Sequence, residues 1–264
     1  MKNVFVIAME SEADAVLRHL SDVLRFEECG RTVYQGLLNG EQTAVVICGI
    51  GKVNAAAGTQ YAIDHFSPER IVNLGVAGGL DASMSVGQVY SISKCFQCDF
   101  DLSLINHTPK GTVNEYDSPF FELEAYIQNS CPISELSPNS CSALAQLPPN
   151  LPTAIVSTGD SFVNGDPDRD FVYGEMGAWL RDMELAAIAH VCKRAGVRCC
   201  ALKSVSDVHF PDRPPPTEQY AVNLKKAVDA LSSFVLVFCA DFMIKYSCIF
   251  NHKHRGELSD SSRA

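Results

Sequence analysis

Residues 43–80 read TAVVICGIGKVNAAAGTQYAIDHFSPERIVNLGVAGGL. Residues 43–48 are an apolar, largely β-branched run of strand length. The glycine turn GIGKVN then opens a helix over residues 54–66, which stops before Pro68 because a proline drives the preceding residue out of the α region. A second apolar run at 70–74 enters the segment GVAGGL. Strand, helix and strand in succession form a unit whose two strands run parallel.

The same alternation extends outward from this unit. Residues 3–8, NVFVIA, predict a buried strand, and 11–20 a helix with Ala15, Val16 and His19 on one side. Strands follow at 32–38, 86–93, 153–157 and 198–205, and a last helix at 217–240. Residues 106–152 are rich in Ser, Pro and Asn and predict an irregular surface excursion, with one short helix at 120–128. The apolar stretch 234–250 is interrupted by Asp241 and Lys245, which makes it a buried helix rather than a membrane span. The polar tail 251–264 is expected to be disordered. The expected fold is α/β: one domain over residues 1–250, a central mixed β-sheet flanked by helices.

At 264 residues and 47% hydrophobic composition, the chain suffices for one sizeable core. A net charge of −10 argues against nucleic acid and anionic membranes as partners and leaves a small molecule. There are 11 cysteines, several inside apolar runs such as AVVIC and RCCAL, which suggests reduced core thiols. With no secretory leader pattern at the N-terminus, the expected location is cytoplasmic. Cys95 and Cys98 form one C-x-x-C without a second pair at zinc spacing, so neither metal nor cofactor is expected.

Ligands of open α/β sheets bind outside the carboxyl ends of the strands. The segments there are MESE with Glu10 and Glu12, GIGK, GVAGGL, TGDSFV, and SDVHF with Asp207. The stretch RDMELAAIAHV at 181–191 reads as a helix in which Ala187, Ile188 and Val191 share the face of Glu184. An unpaired buried acid costs several kcal/mol, roughly, so Glu184 either has a structural partner or faces the same edge. Singly, each feature has a plainer reading: Asp207 as a turn cap, Glu12 as a first-turn acid, Phe162 and His190 as core. Together they point to a polar ligand.

AMESEADAV, GIGKVNAAAG, NLGVAGGL, VSTGDSFV, MELAAIAHVC and SVSDV, in this order, resemble the nucleoside phosphorylase/hydrolase family, in particular its 5′-methylthioadenosine/S-adenosylhomocysteine nucleosidases. The resemblance covers most of residues 1–105 and 153–240. It implies a nucleoside phosphorylase-like fold, a homodimer, and hydrolysis of the N-glycosidic bond of an adenosine derivative in methionine salvage, releasing adenine and a thioribose. It further implies that Asp207 protonates N7 of the purine, that Ser206 orients Asp207, and that Glu12 takes the proton of the attacking water. Phe162 would stack on adenine while the backbone of Val163 reads its edge. Glu184 would bind the ribose hydroxyls and Met183 would pack on the sugar, with Ile50, Ala77 and Gly78 completing the substrate-binding set. The chemistry is consistent: glycoside cleavage divides labour between an acid on the leaving group and a base on the water.

Several positions depart from the family pattern. Lys203 stands in place of an arginine, Asp182 of a glutamate and Cys98 of a histidine, and Thr217 of an aromatic for which Tyr220 substitutes. A phosphorylase of the same fold is the nearest rival. It would carry an arginine and a hydroxyl where Asn73 and Val76 stand, so water is the expected nucleophile. Other rivals are an AMP or futalosine-type nucleosidase, and a non-catalytic storage protein.

Overall fold

The computed structural model describes residues 1–124, 151–162 and 169–235. Strands β1 (Asn3–Ile7), β2 (Leu20–Glu28), β3 (Arg31–Leu38) and β4 (Glu41–Ile47) form one wing of the sheet, in the order β1-β4-β3-β2. The second wing holds β5 (Arg70–Gly79), β6 (Val89–Gln97), the two-residue β7 (Phe121–Glu122), β8 (Thr153–Thr158), β9 (Leu180–Asp182) and β10 (Arg198–Val208). Here β5 pairs β10, β10 pairs β6, β6 pairs β8, β8 pairs β9, and β9 returns to β5. The second wing is therefore closed on itself, and β5 joins it to the open wing through β1. Parallel and antiparallel pairings are mixed, as expected.

Among the described residues, five α-helices accompany the sheet, α1 (Glu10–Leu17), α2 (Lys52–Phe66), α3 (Ser103–Asn106), α4 (Leu185–Ala195) and α5 (Pro216–Val235), with one π-helical turn at Asp170–Glu175. β1 shows why they lie on both faces. Its alternation sends Val4 and Val6 into a core with Ala55, Ala62 and Ile188 of α2 and α4. It sends Phe5 and Ile7 into another with Val16, Val228 and Leu231 of α1 and α5. Among the described residues no helix is long and apolar enough to cross a membrane. The seven described cysteines are in no disulfide, and all but Cys29 are buried. Cys98 donates its thiol proton to the Thr158 carbonyl.

Five differences from the sequence reading have physical causes. α1 ends at Leu17, and His19 lies beyond it, bonded to Ser232 of α5. β2, which the periodicity does not reveal, is an edge strand with most of its residues exposed, so neither face writes an apolar pattern. Within the expected helix at 120–128, Phe121 and Glu122 are instead a strand on β6, and residues from 125 lie outside the described ones. β5 runs through GVAGG to Gly79, and β10 runs through SDV to Val208. Residues 181 and 182 of the expected helix belong to β9, and the helix proper starts at Leu185. The excursion over 125–150, the C-terminal apolar stretch beyond Val235 and the tail 251–264 lie outside the described residues.

Gly58 sets how closely α2 lies on β4. A Cβ there would come within 2.4 Å of the Cys48 Cβ and 3.3 Å of its Cα. Gly58→Ala gains about 1 kcal/mol of helix propensity, but forcing backbone apart in a packed core costs about 1–3 kcal/mol. The expected outcome is net destabilisation, read as a lower urea midpoint at unchanged slope.

Candidate active site

β5 divides its pairing along one edge. Residues Arg70, Ile71 and Val72 pair β1, whereas Gly78 and Gly79 pair β9. Between them the strand has no neighbour on that side, and the two wings part. Side chains take over what a ladder would have supplied. Asn73 donates its Nδ2 to the Val6 carbonyl at 2.9 Å, and the Val76 N–H donates to Glu12 Oε1 at 2.8 Å. The opening becomes a cavity lined by residues from α1, β5, β9, β10 and α5.

Glu12 enters it from the first turn of α1 and is 4% exposed. Its Oε2 also accepts from the Met9 N–H at 3.2 Å, so the carboxylate closes its own helix terminus while facing the cavity. Burial raises its pKa, against the pull of Lys203 and of the Val76 and Met9 N–H groups. Gly75 leaves the room: a Cβ there would lie 2.8 Å from Glu12 Oε1 and 3.2 Å from Lys203 Nζ.

Glu184 is the residue immediately before α4, not a member of its apolar stripe. Its carbonyl accepts from the Ala187 and Ile188 N–H groups, while its side chain turns away. Glu184 Oε1 accepts from the Gly51 N–H at 2.9 Å. Gly51 has φ +95°, which a residue with a Cβ adopts only with strain. Burial, then the neighbouring Asp182 carboxylate, push Glu184 up to about 7, against the Lys203 ammonium. Beneath it, Lys203 Nζ meets Asp182 Oδ2 at 2.8 Å, both side chains almost wholly buried. Asp182 Oδ1 accepts from the Thr158 hydroxyl at 2.6 Å, and Oδ2 from the Leu185 N–H at 3.0 Å. Burial works against the Lys203 charge, yet Asp182, Glu184 and Glu12 hold its pKa above the usual value.

Asp207 arrives by a β-bulge. Val205 pairs Ala77, but Asp207 rather than Ser206 pairs Gly78. Adjacent side chains of a regular strand face opposite ways, and the irregularity lets neighbours meet. The Ser206 hydroxyl donates to Asp207 Oδ1 at 2.6 Å. Asp207 Oδ2 has no hydrogen-bond partner among the described residues, though the residue is only 1% exposed. Gly78 again makes room, since a Cβ would lie 3.0 Å from that oxygen.

Of the residues singled out by sequence, Glu12, Ile50, Ala77, Gly78, Phe162, Met183, Glu184, Ser206 and Asp207 all line this one cavity. Val163 lies outside the described residues. Phe162 is half-exposed at the rim and meets Tyr220 edge-on, ring centres 5.5 Å apart. Tyr220 also donates to the Met9 sulfur at 3.6 Å. His190, read as core, stacks on Phe121 away from the cavity. Sequence reasoning assigned no role to Arg181 and His209, which line the cavity as well. For His209 the signal was available, two residues beyond Asp207 in SDVHF.

The raised pKa of Glu184 makes stability depend on pH. The folded state holds this proton more tightly than the unfolded chain does. The stabilisation is fully present below the unfolded value near 4.5 and is lost as pH rises through about 7. The loss is expected to be roughly 2–4 kcal/mol. Urea melts at pH 5 and pH 8 should show a smaller fall for Glu184→Gln than for the wild type. Equal falls would place the titration on another group.

Comparison with known proteins supports one family. The phosphorylase superfamily model matches residues 2–240. A 5′-methylthioadenosine/S-adenosylhomocysteine nucleosidase of Geobacillus kaustophilus is 32% identical over 228 residues, covering 83% of this chain and 90% of that protein. One from Colwellia psychrerythraea is 30% identical over 236 residues, covering 86% of this chain and 94% of that protein. A solved structure of a nucleosidase from that organism, in complex with adenine, superimposes with a TM-score of 0.74 at 28% identity, covering 90% of this chain and 94% of that one. The futalosine hydrolase of Helicobacter pylori shares the fold, with a TM-score of 0.74 at 24% identity over 90% of this chain and 97% of that one. The chain thus belongs to the 5′-methylthioadenosine/S-adenosylhomocysteine nucleosidase family of the phosphorylase superfamily.

Proposed function

We infer that the protein hydrolyses the N-glycosidic bond of 5′-methylthioadenosine and S-adenosylhomocysteine-type nucleosides, releasing adenine and a thioribose. The observation that carries this reading is the convergence of Glu12, Glu184 and Asp207 on one cavity, with Asp207 Oδ2 left without a hydrogen bond. Asp207, oriented by Ser206, donates a proton to N7, so that the base leaves as neutral adenine. Phe162 stacks on the base at the rim. Glu184 accepts from the ribose hydroxyls and its charge stabilises the sugar cation. Met183 packs against the sugar. Glu12, whose burial raises its proton affinity, takes the proton of the attacking water.

Water rather than phosphate is the nucleophile because the described residues at the cavity end beside Glu12 offer no anion site. The Asn73 amide is given to Val6, the Val76 N–H to Glu12, and the Lys203 charge to Asp182. Arg181 stands on β9 opposite Gly78, itself the partner of Asp207 on β10, and so at the base end. The enzyme works as a cytoplasmic homodimer of one domain over residues 1–250. Its many buried thiols fit a reducing compartment. Ile50, Val53, Leu104 and Ile105 form exposed apolar surface for a second copy to cover.

Adenine release from methylthioadenosine should proceed at the same rate with and without phosphate and yield free methylthioribose. A ribose 1-phosphate product would overturn the hydrolase reading. Asp207→Asn and Glu12→Gln should each lower kcat by about 10² or more, with smaller changes in KM. Steady-state kinetics on the two variants, with circular dichroism to verify folding, checks this.

A further inference from the structure

Asp207 has a neighbour that the reaction as described does not use. His209 Nε2 stands 3.3 Å from Asp207 Oδ2, a buried carboxylate oxygen without a hydrogen bond among the described residues. The imidazole side chain is 8% exposed and lines the cavity. Its other nitrogen, Nδ1, is buried and also without a partner. The backbone holds it there: the His209 N–H donates to the Gly79 carbonyl at 2.8 Å, one residue past the end of β10. Gly78 accommodates both members, since a Cβ would meet Asp207 Oδ2 at 3.0 Å and His209 Nε2 at 3.2 Å. The separation without an aligned hydrogen bond leaves Oδ2 available to a substrate, and such contacts commonly tighten on binding.

We propose that His209 is a second proton-carrying residue of the acid site, so that Asp207 and His209 together hold and resupply the proton given to the purine. The proposal rests on the reading of Asp207 as the general acid. An ordinary aspartate has lost its proton near pH 4, whereas imidazole is the side chain that ordinarily exchanges one between about pH 5 and 8. An imidazole nitrogen 3.3 Å from the acid's free oxygen is within reach to pass a proton to it. As the glycosidic bond breaks, its electron pair passes into the purine, and N7 takes one proton through Oδ2, to which Nε2 of the imidazolium supplies it, leaving a carboxylate and a neutral imidazole. Water adds to the anomeric carbon and gives its proton to Glu12. Glu12 returns that proton to solvent, and solvent reloads His209, so one nucleoside and one water give one adenine and one sugar.

The test compares His209→Gln, His209→Ala and Asp207→Asn on two substrates of the same sugar. One is methylthioadenosine, whose base must be protonated. The other is the 4-nitrophenyl 5-methylthioriboside, whose phenolate leaves without a proton. Glutamine keeps an N–H to offer Oδ2 but carries no transferable proton. Both His209 variants should lower the ratio of kcat for the nucleoside to kcat for the phenyl riboside by about tenfold or more. The ratio cancels any loss of folded enzyme. If Asp207→Asn lowers it and His209→Gln leaves it within about twofold of wild type, His209 carries no proton and the proposal is overturned, with Asp207 unaffected. If Asp207→Asn also leaves it unchanged, the reading of Asp207 as the acid falls instead.

Discussion

One buried ammonium makes the rest of the site possible. Lys203 sits on β10 among Asp182, Glu184 and Glu12, and these three carboxylates together hold its charge. Removing several carboxylates from water costs far more than the few kcal/mol of net stability a domain possesses. A single positive charge does not neutralise three negative ones. The residual charge is relieved at Glu184, which is pushed to about 7, and burial raises the proton affinity of Glu12 as well. Asp182 stays at the ammonium, fixed by Thr158 and the Leu185 N–H. The cavity thus holds carboxylates of unlike character, one committed to structure and two with raised proton affinity, from residues of one chemical type. Burial and distance to one charge separate them.

That arrangement constrains the backbone. The ammonium and Glu12 both press on β5 at Gly75, and Asp207 with His209 presses on it at Gly78. The glycines of NLGVAGG are therefore required by close approach along an extended strand, not by a reversal of the chain. The true reversal is at GIGK, where Gly49 and Gly51 have φ +91° and +95°. There the backbone presents the Gly51 N–H to Glu184 and the Lys52 N–H to Asp160, at 2.9 and 2.7 Å. Two glycine motifs that look alike in sequence have different physical work.

This difference marks the limit of what was legible. Strands buried on both faces, such as β1, β4 and β8, wrote themselves as short apolar runs, and with α2 between two of them the α/β class followed. β2 carries Arg25, Glu27 and Glu28 on an exposed edge and left no signal. The ends of β5 and β10 were read as loops because glycine, serine and aspartate are poor strand formers, and tertiary pairing overrode that preference. Periodicity around Glu184 counted apolar neighbours correctly but started the helix too early, since Arg181 and Asp182 pair with β8 and β5 instead. Glu12 and Asp207 were legible because each comes just after an apolar run, and Glu184 because it stood as an acid among apolar residues. That Asp207 needs a bulge, and that His209 lies against it, depends on register, which no local pattern encodes.

The two departures at Lys203 and Asp182 belong together. An arginine binds a carboxylate best through both oxygens, but Asp182 has only one to give. Its Oδ1 is occupied by Thr158, whose oxygen in turn accepts from the Ala186 N–H at 3.0 Å and ties the start of α4 to β8. A point charge fits the remaining oxygen, and the ammonium takes Oδ2 alone at 2.8 Å. The shorter acid and the simpler cation thus form a consistent pair, in which β8, β9 and the start of α4 hold the carboxylate and β10 supplies the charge. The Glu12 carboxylate is held independently of this pair, by the Met9 and Val76 N–H groups from the two sides of the opening in β5.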